Sequence, residues 1–139
     1  LSVGVVILGF LLMEVISGLI LSLVFQLAHV VEGPDFPLPK ANGEMENSWA
    51  VHQLHTTANF SYGRKVINWY VGGLNNQIEH HLFPGICHVH DNAIAPIVKG
   101  TAEEFGHPCY EHNTFMIALK SHVRMLKKFG VPPMDEIMG

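Results

Sequence analysis

The chain opens on an unbroken apolar run. From Leu1 to Val31 the sequence LSVGVVILGFLLMEVISGLILSLVFQLAHVV has almost no polar face, and about 20 apolar residues in a helix suffice to cross a hydrocarbon core. The pattern predicts one membrane-spanning helix over residues 1–31. Glu14 sits near its middle, where a charge costs about 2.5–3.5 kcal/mol on insertion scales. It is expected to face other protein. The hydrophobic run is already under way at Leu1, with no initiator methionine and no basic leader, so the chain reads as a fragment whose start lies upstream.

Polar and structure-breaking positions follow. Gly33 to Ser48 holds three prolines, two glycines and several acidic residues, a composition that predicts a surface loop. Trp49 to Tyr70 is mixed and fixes no element, although the aromatic and glycine residues of NWYVGG suit a membrane interface. Leu74 to Leu82 fits a short helix that stops near Phe83, because Pro84 lacks an amide donor and clashes with the preceding turn. Helical spacing returns twice. Ile94, Ile97, Val98, Ala102 and Phe105 mark an amphipathic helix over 91–105 ended by Gly106. Phe115, Leu119, Val123 and Leu126 mark another over 114–129, with Lys127 and Lys128 near its end and Gly130 as its cap. Both helices read as scaffold. No later run is long and apolar enough to span again, so residues 32–139 are expected on one side of the membrane. The fold class is all-α: an integral membrane helix followed by a cytosolic helical region.

Composition narrows the function. The net charge is -4, and the eight Lys and Arg residues are scattered, which leaves no electrostatic footprint for nucleic acid. Cys87 and Cys109 lack paired spacing, so neither a disulfide framework nor a thiolate zinc site is indicated, and a reducing cytosolic environment fits. The ten histidines among 139 residues are the main clue.

The richest stretch is Asn75-Asn76-Gln77-Ile78-Glu79-His80-His81-Leu82-Phe83-Pro84. On a helix Gln77 stands three residues before His80 and four before His81, which groups the three side chains on one face where they can converge on metal. Neutral imidazole suits iron, zinc or copper, and adjacent histidines about 100° apart can serve one ion or two neighbouring ions. Glu79 points off that face and receives no catalytic role. His52 and His55, three apart, share a helical face, and His52 is a reserve ligand. His88 and His90 are read as loop or headgroup contacts, and His107, His112 and His122 as isolated, solvated or helix-surface residues. His29 falls at the end of the membrane helix, where it can face the cytosolic surface.

Gln77 to His81 resembles the third histidine box of membrane fatty-acid desaturases, in the QxxHH variant of the front-end enzymes. The flanks GGLNNQIEHHLFP and CHVHDNAIAPIV, and HQLHTTANF upstream, are similar to that family as well. The resemblance implies a di-iron centre that uses O2 and an external electron donor, a cytochrome- or ferredoxin-type protein, to introduce a double bond into a fatty acyl chain within the bilayer. It makes His80 and His81 catalytic metal ligands. His29 resembles the histidine that desaturases carry at the end of a late transmembrane helix, and becomes a ligand too. Gln77 replaces a histidine found in related desaturases, and is a weak ligand, a water-mediated contact or a partner of a ligand. The first two histidine boxes are absent from this sequence, so the piece by itself is expected to be inactive.

Two rivals share the same residues. A related membrane di-iron hydroxylase would leave oxygen in the product. A non-catalytic histidine-rich membrane protein binding haem or another metal would, with haem, show an intense visible band. A zinc hydrolase is disfavoured because the helical HExxH arrangement is missing.

Overall fold

The computed structural model describes residues 1–131, and the last eight positions of the expected 32–139 region lie outside the described residues. The apolar run forms α1 (Val3–His29), a 27-residue helix, about 40 Å long at the α-helical rise. Among the described residues it is the one helix long and apolar enough to cross a membrane, and its apolar window is bare of protein contact. Glu14 is exposed, so the protein surface expected to face it is not supplied by these residues. Only the last turns are covered: Val24, Leu27, Ala28 and, just beyond, Val31 are buried.

The region after α1 folds around that covered end. Leu27 packs with Phe60 and Ala118, flanked by Ile67, Phe115 and Leu119. A second core joins Leu54, Ile78, Val98 and Ala102, flanked by Leu82, Ile94 and Cys109. The Gly33–Ser48 stretch is irregular as expected. Its start is pinned nonetheless: Arg124 pairs with Glu32 at 2.9 Å, and the Asp35 amide donates to the His55 carbonyl at 2.7 Å. The mixed stretch resolves into α2 (Trp49–Thr56), β1 (Ala58–Phe60) and α3 (Lys65–Tyr70).

The all-α expectation holds broadly, with one small sheet added to the helices. β1 pairs in parallel with β2 (Tyr110–His112), Ala58 opposite Tyr110 and Phe60 opposite His112. Three-residue strands are too short to show an alternating pattern, and their pairing partners are remote in sequence, so periodicity could not announce them. The remaining architecture is helical.

The histidine-box helix, α4, runs Gln77–Leu82, three residues later than the expected start at Leu74. Left-handed Gly72 (φ +63°) and Gly73 (φ +82°) turn the chain first, and the Asn76 amide closes that turn onto the Gly73 carbonyl at 2.9 Å. A Cβ on Gly73 would lie 2.7 Å from His88 Cβ, so only glycine fits there. The helix stops before Phe83, as Pro84 requires.

The last two helices have the expected bounds and a different buried face. In α5 (Asp91–Glu104) the covered residues are Asp91, Ala95, Val98 and Ala102, whereas Ile97 and Phe105 are exposed. Pro96 deprives the Asn92 carbonyl of its helical donor, and the Tyr62 hydroxyl donates to that carbonyl at 3.2 Å. In α6 (Phe115–Phe129), capped by Thr114 Oγ1, the covered face is Ala118, Ser121, His122 and Met125. Val123 and Leu126 of the expected stripe point outward. Small and polar side chains occupy these faces because α6 lies against backbone: His122 Nδ1–H donates to the Val30 carbonyl at 2.7 Å, and Ser121 Oγ accepts the Glu32 amide at 2.7 Å. His122 is therefore buried, contrary to its reading as an isolated surface residue.

Candidate metal centre

The end of α1 and the box helix meet. His29 is the last residue of α1, and its ring centroid lies 5.1 Å from that of His81 on α4. His80 projects from the same short helix with its ring centroid 6.0 Å from His81 and the two planes at 69°. His80 is exposed and His81 half-buried. Burial first, then the neighbouring His29 and His80, pushes the His81 imidazole below its ordinary pKa, so at neutral pH the ring is uncharged and has a lone pair to offer.

The fourth expected ligand, Gln77, is fully buried, and its Oε1 has no hydrogen-bond partner. A buried acceptor left alone costs about 1–3 kcal/mol, which makes it a natural place for a donor or a cation. His52, the reserve candidate, shares with His29 and Thr56 a cleft of about 360 Å³, and its Nδ1 is likewise buried without a partner. Among the described residues no three His, Cys, Asp or Glu side chains gather tightly enough to hold an ion by themselves. The donor types nevertheless suit iron: imidazole nitrogen and an amide oxygen are compatible with that metal, so the residues present fit it in their chemistry.

Several features behind the candidate ligands were not legible from spacing. Gln53 on α2 receives His81 Nδ1–H on its Oε1 at 2.8 Å. The Thr56 carbonyl, at the end of the same helix, lies 3.5 Å from His29 Nδ1. On the far side of the box helix Asn59 of β1 accepts the Ile78 amide at 3.0 Å and donates to Glu79 at 2.8 Å. It supplies the N-terminal capping that Asn76, the residue at the cap position, does not make. Burial, partly offset by that Asn59 bond, raises the Glu79 pKa. Glu79 is wholly buried, and its bond to Asn59 ties the box helix to β1. Asn76 reaches Asn68 and Asn92 at 3.1 and 3.2 Å, tying α3, the glycine turn and α5 together. The one sequence signal available was a polar residue, Gln53, set between two histidines in HQLH.

The remaining histidines lie elsewhere. His88 and His90 form an exposed single turn ahead of α5. His55 faces Asp35 at 3.2 Å and stacks edgewise on His107 at 5.8 Å. His112 sits half-buried in β2, so His107 and His112 are not the isolated, solvated residues expected.

A helix of membrane-crossing length thus ends on a histidine that meets a second, two-histidine helix. The family model for fatty acid desaturases matches residues 1–113, and the chain belongs to the fatty acid desaturase family. It is 48% identical over 118 residues to an acyl-lipid (8-3)-desaturase of Physcomitrium patens, covering 85% of this chain and 24% of that protein. It is 47% identical over 116 residues to an sn-1 linoleoyl-lipid 6-desaturase of Arthrospira platensis, covering 84% and 31%. A protein of the same description from Synechocystis is 38% identical over 130 residues, covering 93% and 36%. The chain therefore spans about a quarter to a third of the length of these relatives. No solved structure matches it significantly.

Proposed function

We propose that this chain is the C-terminal part of an acyl-lipid desaturase, contributing His29, His80, His81 and Gln77 to an iron centre at the cytosolic face of the membrane. The observation that carries the reading is the meeting of His29 and His81, drawn from elements far apart in sequence to a ring separation of 5.1 Å. Further ligands would come from the part of the relatives' length that this chain does not cover. The names of the relatives, acyl-lipid and linoleoyl-lipid desaturases, support a lipid-borne acyl chain as substrate.

Removing hydrogen from two unactivated methylenes is beyond side-chain acids and bases and needs a metal-based oxidant. The overall change consumes one O2, two electrons and two protons and yields one double bond and two waters, so an electron-transfer partner of cytochrome or ferredoxin type is required. Iron, when bound, supplies the oxidising power. The chain's own residues position it: α1 carries His29 to the membrane surface, where an acyl chain can reach the site while its headgroup stays wet, and α4 presents His80 and His81 from a helix held at its N-terminal end by Asn59. In this reading α1 spans the bilayer and the described residues after it stand on the cytosolic side.

Product analysis of the full-length enzyme expressed in a host supplied with unsaturated acyl lipid tests the reading. A new double bond without retained oxygen supports it. A hydroxylated chain supports the hydroxylase rival, and an unaltered acyl pool alongside an intense haem band supports the non-catalytic one.

A further inference from the structure

We propose that Gln53 is a positioning residue that fixes His81 as an Nε2 ligand, and that α2 orients both facing imidazoles. The inference rests on the metal-centre reading above.

An amide oxygen only accepts hydrogen bonds, so the 2.8 Å bond between Gln53 Oε1 and His81 Nδ1 places the ring proton on Nδ1. The lone pair of the neutral ring is then on Nε2, the nitrogen turned away from α2. Three residues further on, Thr56 offers its carbonyl to His29 Nδ1 at 3.5 Å. One contact comes from a side chain of α2 and the other from the carbonyl at its C-terminal end, so the helix meets the Nδ1 side of both rings.

That carbonyl is free to do so. Thr56 is the last residue of α2, where helix carbonyls lack intrahelical donors, and its neighbour His55 already gives its own carbonyl to the Asp35 amide at 2.7 Å. Leu54, buried in the core beneath α4, sets the depth of the helix between its two polar contacts.

A hydrogen bond at Nδ1 sets the tautomer and the ring plane and strengthens the other nitrogen as a donor. Glutamine does this without adding charge, which suits a half-buried ring whose surroundings already disfavour ionisation. A leucine at position 53 keeps the bulk and loses the acceptor. A glutamate keeps both.

The test uses the full-length enzyme loaded with iron, comparing wild type, Gln53→Leu, Gln53→Glu and His81→Ala. Two readouts are taken: the rate of iron release to a ferrous chelator, and the ferrous Mössbauer quadrupole splitting. Gln53→Leu is expected to release iron about 10–100-fold faster, matching the scale by which removing a partner behind a metal ligand lowers metal affinity. Gln53→Glu is expected to stay within a few-fold of wild type with a changed splitting, because its acceptor is stronger. If Gln53→Leu does not fold by circular dichroism, Gln53→Met replaces it with the same expectation. Release from the apolar variant at the wild-type rate would overturn the proposal, and so would equally fast release from the apolar variant and Gln53→Glu. His81→Ala separates the two levels: normal iron in that variant defeats the metal-centre reading itself, whereas iron loss there with none in Gln53→Leu defeats only the role of Gln53.

Discussion

His122 Nδ1–H donates to the carbonyl of Val30, 2.7 Å away and one residue past the end of α1. The bond fastens α6 to the backbone beside His29. Removing a buried donor leaves its acceptor unsatisfied, at about 1–3 kcal/mol. His122→Ala is expected to lower the stability of the full-length protein by that amount in a detergent denaturation series, and His122→Gln, which can still donate, by less. Equal midpoints for His122→Ala and wild type would show that the bond contributes nothing. His122 is accordingly a poor neutral control for the ligand histidines.

The glycine turn before the box helix gives a second outcome. At Gly73 a side chain meets both a left-handed φ of +82° and a Cβ contact of 2.7 Å with His88. The conformation alone costs roughly 1–2 kcal/mol for an L-residue. Gly73→Ala should reduce folded yield and displace the box helix, whereas Gly85→Ala, whose Cβ would meet nothing within 4 Å, should be tolerated. Fluorescence-detected size exclusion of the two variants decides it.

The two thiols should differ in reactivity. Cys87 is exposed and Cys109 half-buried, and burial, with a smaller contribution from the charge of Glu79, pushes the Cys109 thiol up to about 11. At pH 8 about one Cys109 in a thousand is then the reactive thiolate. In the folded protein a maleimide pulse at pH 8 should label Cys87 first, read by peptide mass mapping, with Cys109 labelled only after unfolding. Equal labelling would contradict the burial of Cys109.

Helix α3 borders the membrane helix. Ile67, Tyr70 and Val71 line an apolar crevice with Ile20, Leu23 and Val24, and Trp69 remains 81% exposed. Aromatic residues at that level favour the headgroup boundary. In nanodiscs containing the full-length enzyme, a nitroxide at position 69 should be more accessible to oxygen than to a water-soluble nickel complex, and one at position 90 the reverse. A water-facing result at 69 would remove α3 from the interface.

Much of this was legible in sequence where a single segment carried its own signal. The membrane helix, the stop before Pro84 and the limits of α5 and α6 follow from apolar runs, proline and glycine. What sequence could not show depends on contacts between distant segments. The 58–60 and 110–112 strands pair across more than a third of the chain. The buried face of α6 is small and polar because it meets the backbone after α1, so hydrophobic spacing selected Val123 and Leu126 instead. At the candidate centre, Gln77, His80 and His81 were visible as a motif and His29 by resemblance. Gln53 and Asn59, which grip the box helix and its ring, are ordinary polar residues until the fold brings them there.

The most direct measurement is bound iron per polypeptide in the purified full-length enzyme with His29→Ala, beside His81→Ala and His55→Ala. His29 and His81 face each other at 5.1 Å, whereas His55 is turned to Asp35 and His107. The account predicts that the first two variants lose most of their iron and their desaturated product together, while His55→Ala retains both. Wild-type iron content in His29→Ala would contradict it.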